Sequence, residues 1–414
     1  MTKGTVIVGA GHAGAQAAIA LRQAGYSELI TLIGNEDAVP YHRPPLSKGF
    51  LKGTALEPAP LRAENAYAAA DITYLRGNEV TELDLAGNVV RLRSKAEIPF
   101  HKAILATGAT PRRPAFAGAG YGRVYTLRSA ADACVIRTAL ETAQSAVIIG
   151  GGFIGLETAA TIAASGCRVT IIEAAPQVLS RVVTSAIADQ ARTHLEARSV
   201  RFKVGTGVSA IKEISGKEVT IVTSAGETLA ADFVVLGVGV SPNCHLAEAA
   251  GLACADGVLV DTALRTFHPD VFAIGDCARF DHWLTGRSVR LESVQNATEQ
   301  ARHVARTIVG KPEPYMAVPW FWSDIGDLKL QMAGLAEGAD RQVLAGSVSE
   351  GSFSVYHYRG ERLVAVDSLN RPADHMIARK LIAARLSPTE AEILSGRLPE
   401  LLRVGAEARV GAEA

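Results

Sequence analysis

Cysteine is scarce and scattered in this chain. The five residues, Cys134, Cys167, Cys244, Cys254 and Cys277, form no CxxC pair and show no zinc-ligand spacing, which argues against a metal centre and against a dithiol. Their odd number fits reduced thiols that pack as small hydrophobes. An excess of either charge is missing too. With 42 Lys and Arg against 42 Asp and Glu, nothing global draws the chain to nucleic acid or to an acidic membrane surface, though a local basic patch stays open. No uninterrupted apolar run reaches the length of a membrane span, and the first strand-like run begins by Thr5, which leaves no room for a signal peptide. The expected location is therefore the cytoplasm. At 414 residues, 48% of them hydrophobic, the chain has material for two or three domains with full cores.

What is present is a glycine pattern, used twice. Thr5 to Gly14 reads TVIVGAGHAG, an apolar strand running into a glycine-rich turn and then a helix, expected over Ala15 to Ala24, with a second strand at Leu29 to Ile33. Gly9 permits the tight turn, Gly11 lets backbone approach a pyrophosphate, and Gly14 lets the helix pack against the strand, with Ala13 inside the same turn. The unpaired N–H groups and dipole of the helix start favour the phosphate charge without a basic side chain. Ala146 to Gly155, AVIIGGGFIG, repeats the spacing with Gly150, Gly152 and Gly155, a helix to Ser165 and a strand Arg168 to Glu173. Two cradles imply two dinucleotides, and a flavin with a nicotinamide is the pair that passes electrons or a hydride between them.

An acid at the end of the second strand of each unit would hold an adenosine ribose. In the first unit Asn35 and Glu36 compete for that place; in the second it is Glu173. A carboxylate at Glu173 accepts from the free 2′-hydroxyl of NADH and repels the 2′-phosphate of NADPH, and Ala174, Ala175 and Pro176 offer no arginine clamp. Arg181 lies further on and contacts either the cofactor or only the following helix. Between the cradles, the two prolines of PYHRPPLSK make a rigid loop from Arg43 to Lys48 that feeds a helix.

The run PYHRPPLSK, standing between a GxGxxG and a later GGGFIGLE, resembles the FAD-dependent, NADH-linked ferredoxin reductases that serve bacterial cytochrome P450 and Rieske oxygenase systems, relatives of rubredoxin reductase and apoptosis-inducing factor. The resemblance covers nearly the whole chain. It implies an α/β fold of the glutathione-reductase type, with two Rossmann-like dinucleotide-binding domains and a C-terminal α+β domain. FAD would occupy 1–110 and 241–314, NADH 111–240, and the C-terminal domain 315–414.

Through the same resemblance, Arg43, Val80, Ala106, Thr107, Gly108, Arg128, Asp276, Val294 and Trp320 contact FAD, and Gly239, in a GxGxxPN turn, lies at the nicotinamide side. Lys48 pairs with Glu157 beside the flavin, at the junction of the two domains. Some of these residues have plainer alternatives: a helix-start arginine for Arg128, an N-cap for Asp276, ordinary core for Trp320.

Disulfide-reducing members of this fold carry a redox cysteine at the flavin. Here no cysteine lies between residues 1 and 133, so electrons must leave to an external acceptor, a [2Fe–2S] ferredoxin. Hydride passes from NADH to FAD, which converts it to single electrons. Ferredoxins of this type are acidic, so Arg302 and Arg306 on one helix face, extended by Lys311 and Lys329, are the candidate docking residues. The runner-up is a flavoprotein of the apoptosis-inducing-factor type, in which NADH changes assembly.

Short strands are expected at Ile72 to Leu75, Asn88 to Leu92 and Lys102 to Gly108, a meander over 200 to 236 with turns at Gly216 and Gly226, alternating runs from Gln342 to Asp367, and a helix over Asp374 to Arg385. Ser387, Pro388 and Glu390 read as a capping box opening a last helix. The tandem hexamer RVGAEARVGAEA, from Arg403, reads as a mobile tail without assigned function.

Overall fold

The computed structural model describes residues 3–214 and 218–403. The turn expected at Gly216 and the repeated hexamer beyond Arg403 lie outside the described residues. The chain forms two compact units, each assembled from three segments: 1–42, 58–110 and 240–319 in the first, 43–57, 111–239 and 320–414 in the second.

The first unit is built on a seven-stranded sheet. Gly4–Val8 pairs in parallel with Ile30–Ile33 on one side and Glu97–Leu105 on the other, and Ile30–Ile33 pairs with Ile72–Leu75. Gly4–Val8 is buried throughout and Ile30–Ile33 nearly so, and they read as apolar runs because both faces are covered. Val80–Asp84 and Val89–Leu92 extend the sheet antiparallel, and Val271–Ala273 returns from far along the chain to pair with Glu97–Leu105. Helix His12–Gln23 buries mainly alanine, with Gly14, Ile19 and Leu21, and helix Val294–Ile308 lies against it. Small side chains permit that close approach.

The second unit holds a parallel sheet in the order Arg201–Lys203, Arg168–Ile172, Ser145–Ile149, Phe233–Leu236, Val124–Thr126. A three-stranded antiparallel sheet, Val208–Ile214, Glu218–Thr223 and Thr228–Ala231, accompanies it. Its last segment forms a five-stranded antiparallel sheet in the order Trp320–Ile325, Leu328–Gly334, Arg362–Leu369, Ser352–Arg359, Arg341–Ser347, with helix Pro372–Ala384 against it. One core joins the two large sheets, running from Ile148, Leu156 and Phe233 to Leu330, Phe353 and Leu369. Segment 43–57 packs here too, with Leu51 in that core and Phe50 under the Arg137 guanidinium, 5.3 Å from its carbon to the ring centre.

Several expected elements shift. The cradle helix starts at His12, three residues earlier than expected, because Gly11 is already its N-cap. The strand expected at Lys102 to Gly108 runs Glu97–Leu105, since Ala106 onward leaves the ladder for a turn. The loop after Arg43 becomes a short 3₁₀ helix, Pro44–Ser47. The last capping box is two residues further on: Thr389 and Glu392 cap each other at Glu390–Leu394. Ser387 is drawn away by the Leu363 amide, which donates to its hydroxyl at 2.9 Å, and the Pro388 carbonyl accepts from the Tyr358 hydroxyl.

Candidate functional site

The two glycine turns have the same construction. Gly9 has φ +108° and Gly150 φ +110°, and a Cβ on either would stand 2.2 Å from the Ala106 carbonyl oxygen or 2.4 Å from that of Gly237. A Cβ on Gly14 would meet the Gly9 carbonyl oxygen at 1.9 Å, and one on Gly155 the Gly150 oxygen at 2.1 Å. The middle glycines differ: nothing lies within 4 Å of a Cβ at Gly11, and only the Gly237 oxygen, at 3.9 Å, at Gly152. So the outer two glycines are demanded by the protein's own backbone, while the middle one faces free space at a helix start, as a phosphate requires. This pair of turns fits a dinucleotide at each.

The strand exits complete each turn. Ala106 donates its N–H to Val8, Gly108 turns at φ +68°, and Asn243 braces the exit. The Asn243 amide nitrogen donates to the Thr107 carbonyl at 2.8 Å, and the Thr107 hydroxyl donates to the Asn243 carbonyl at 2.8 Å. Gly275, φ +75°, donates to the Gln300 side-chain oxygen at 2.7 Å, which holds the turn that presents Asp276. In the second unit, Glu173 accepts from the Gly151 amide at 2.6 Å and the Ala175 amide at 2.7 Å, which locks the acid against its own cradle. Gly239, φ +93°, accepts from the Arg112 amide.

Lys48 and Glu157 meet, both within the second unit. The lysine Nζ donates to Glu157 Oε2 at 2.6 Å, with side-chain exposures of 24% and 4%. Glu157 is the fifth residue of helix Phe153–Ala164, two past Gly155, so its backbone is fixed by the same cradle. Three further donors converge on its carboxylate: the Ser47 hydroxyl at 2.6 Å, the Ser323 hydroxyl at 2.7 Å and the Asp324 amide at 3.2 Å. A buried charge is tolerable only with such company.

A family pattern, pyridine nucleotide-disulphide oxidoreductase, matches residues 3–301, and a reductase C-terminal pattern matches 320–399. The chain belongs to the pyridine nucleotide-disulphide oxidoreductase family. It is 41% identical to rhodocoxin reductase of Rhodococcus erythropolis over 93% of this chain and 91% of that protein. Among solved structures, it resembles the ferredoxin reductase for the CYP199A2 system from Rhodopseudomonas palustris, with TM-score 0.93 and 41% identity over 96% of this chain and 99% of that one. It also resembles the covalent putidaredoxin reductase–putidaredoxin complex, with TM-score 0.94 and 37% identity over 98% and 99% of the two chains. Expectation and outcome agree on the family and on the fold of two dinucleotide-binding units with a C-terminal α+β part.

In this oxidoreductase the remaining expected residues fall as follows. Val80 is buried at the start of Val80–Asp84, and Val294 is half-buried at the start of helix Val294–Ile308. Arg43 donates to the Arg128 carbonyl at 2.7 Å, and Arg128 itself precedes the Ser129 cap of helix Ala130–Leu140. Asn35 is exposed, whereas Glu36 is half-buried and accepts from the Tyr41 hydroxyl. Arg181 is exposed. Trp320 is half-buried, with the Arg379 guanidinium carbon 4.4 Å from its ring centre and His375 edge-on at 5.7 Å. Arg302 and Arg306 are exposed on one face of their helix, Arg302 pairing with Glu299 at 2.9 Å, and Lys311 is exposed. Lys329 pairs with Asp324 at 2.9 Å.

Sequence reasoning gave no role to Ser47 and Asn243, though they lie in the runs PYHRPPLSK and GxGxxPN, and it passed over Ser323 and Gln300, which belong to no motif. It also passed over His12, whose Nε2 lies 3.0 Å from the Thr298 hydroxyl. Burial and the nearby His42 lower its pKa to about 4, so this cradle helix begins with a neutral imidazole. Among the described residues, no helix is long and apolar enough to cross a membrane.

Proposed function

We propose that this chain is an NADH-dependent reductase that passes electrons through FAD to a [2Fe–2S] ferredoxin supplying a cytochrome P450 or Rieske-type oxygenase, acting in the cytoplasm. The observation that carries it is the repeated cradle geometry, Gly9–Gly14 and Gly150–Gly155, in one chain of this oxidoreductase family.

FAD takes the first unit, 1–110 with 241–314, through Gly9, Gly11, Ala13 and Gly14 at the pyrophosphate, Glu36 or Asn35 at the ribose, and Ala106 to Gly108 and Asp276 further along. NADH takes 111–240 through Gly150, Gly152, Gly155 and Glu173, with 315–414 as the C-terminal domain. When bound, FAD accepts a hydride from NADH and releases its two electrons singly. The chain's own residues supply alignment and charge. Lys48 holds a positive charge that favours the negative charge gathered on reduction, and Glu157, itself held by Ser47, Ser323 and the Asp324 amide, keeps that lysine from swinging. Arg43, Arg128, Val80, Val294 and Trp320 shape the flavin environment. Arg302, Arg306, Lys311 and Lys329 steer the acidic ferredoxin. With reductases of redox partners as its relatives, the assembly-switching flavoprotein is not the favoured reading.

Mixing the purified protein with NADH and a ferredoxin of a P450 or Rieske system tests this directly. Sustained ferredoxin reduction at many turnovers per second, with FAD released on denaturation, is the expected result. A long-lived NADH–flavin complex with negligible turnover, or FMN in place of FAD, would overturn it.

A further inference from the structure

The first unit carries a group of ligating side chains that electron transfer does not use. Cys244 opens the short helix His245–Ala249, and Glu248 stands four residues on, which places it one turn above Cys244 on the same side. The chain then reverses at Gly251, φ +82°, and brings Cys254 back, where a bridge to Val258 pins it. One ligand atom from each residue, two sulfurs and a carboxylate oxygen, lies within 4.8 Å of the other two. Burial is graded from Cys244 inside, through Cys254, to Glu248 at the surface. The Cys254 thiol donates to the Leu252 carbonyl at 3.6 Å.

We propose that Cys244, Glu248 and Cys254 form a binding site for one thiophilic divalent cation of the zinc type, with solvent completing the coordination. Two sulfurs and one carboxylate suit zinc, cadmium or cobalt and exclude magnesium and calcium, which take oxygen alone. Sulfurs bound to one zinc at about 2.3 Å stand about 3.8 Å apart, and the ligand atoms here lie within 4.8 Å of one another, so closing the group takes at most about an ångström between the sulfurs. Glu248, exposed and unbranched, has the freedom to bring its oxygen in. The inner wall is apolar, with Leu246, Ala247 and Leu252 buried around Cys244, so ligand and cation meet where their attraction is least screened. Cys277 is not a fourth ligand, because its sulfur is fully buried against the Leu105 and Ile274 carbonyls. The C-x3-E-x5-C spacing matches no zinc motif and becomes a group only through the reversal at Gly251.

Cysteine binds a metal as thiolate, and thiols carry protons at neutral pH, so a cation must displace two. Apparent affinity should then fall about a hundredfold for each unit of acidification. Surface histidines and carboxylates, which bind zinc adventitiously, release fewer protons.

The test titrates the holoprotein, kept reduced with a thiol-free phosphine, with Zn²⁺ against a chromophoric chelator across about pH 6.5 to 7.5. One tightly held Zn²⁺ per chain is expected, weakening about tenfold per half unit of acidification. Cys254→Ser should weaken it about a hundredfold and Glu248→Gln about tenfold, with the flavin spectrum of both variants unchanged. Glu248 is at the surface, so a loss on that substitution is not a loss of fold. Zinc uptake equal in wild type and both variants, absence of uptake, or a pH dependence of one proton or fewer would each overturn the site.

Discussion

Glu157 gathers four donors on one buried carboxylate, and its removal tests whether the pair with Lys48 is a coupled unit or two independent contacts. In Glu157→Gln the amide oxygen can keep the Ser323 hydroxyl and the Asp324 amide, but the amide N–H₂ then faces the Ser47 hydroxyl and the Lys48 ammonium. The hydroxyl can turn to accept. The ammonium cannot. Breaking a buried pair from one side costs about 3–5 kcal/mol, and Lys48 keeps the Pro44 carbonyl at 3.2 Å and 24% exposure, so the low end, about 3 kcal/mol, applies. Lys48→Met leaves Glu157 with its other three donors and should cost about 2 kcal/mol. The double variant loses the shared interaction once and should cost about 3 kcal/mol, a coupling of about 2 kcal/mol. Trp320 and Trp322 report on the second unit in a Trp283→Phe background, and urea unfolding of the four proteins by their fluorescence measures all terms. A double variant whose cost equals the sum of the singles within about 0.5 kcal/mol would refute the reasoning.

Three further outcomes follow from the same geometry. Wild type should use NADH in strong preference to NADPH, and Glu173→Ala with Ala174→Arg should shift kcat/KM toward NADPH by removing a repelling charge and adding a phosphate partner; comparable efficiency with both nucleotides in wild type contradicts this. Arg302→Glu with Arg306→Glu should slow ferredoxin reduction and flatten its salt dependence, while NADH-driven ferricyanide reduction stays near wild type; equal losses with both acceptors would mean damage to the flavin site instead. Burial lowers His12, His282 and His375 to about 4, so they stay neutral when folded but take up protons below about 6.5 when unfolded. Their contribution is full above about 6.5 and is lost as pH falls toward 4, so stability rises with pH across that window. His375→Gln should lower that slope by up to one proton in denaturation series at about pH 5 to 7, and an unchanged slope removes His375 from the account.

The glycine turns were legible because steric demands act on single residues: only glycine tolerates the Ala106 and Gly9 carbonyls at those distances, and the demand is written at fixed spacing. The strands beside the turns were legible with them, as apolar runs at Thr5 to Val8 and Ala146 to Ile149. The supporting shell was not. Ser47 and Ser323 reach Glu157 from segments far apart in sequence, and a serine looks the same in sequence whether it holds a carboxylate or faces water. The displaced cap shows a related limit. Ser387 fits the motif as well as Thr389 does, and only the Leu363 amide, delivered by tertiary packing, decides between them. Cys244 and Cys254 escaped because the spacing rules for ligands describe loops and single helices, whereas here a reversal of the chain makes the group.

The interleaving of the two units has a consequence for biosynthesis. The chain passes between them five times, after residues 42, 57, 110, 239 and 319. Val271–Ala273 pairs with Glu97–Leu105, so the ladder edge at Ala103, Ile104 and Leu105 must wait for a strand made much later. At about 5–20 residues per second, that wait is on the order of 10–30 s, with an apolar strand edge unpaired throughout. Neither unit is a contiguous stretch of gene: a fragment ending at residue 110 lacks that strand together with Asn243, which braces its exit at Thr107. Expression at lower temperature, which slows aggregation of such edges, or co-expression of 1–110 with 240–319 should recover first-unit fold where the shorter fragment alone does not.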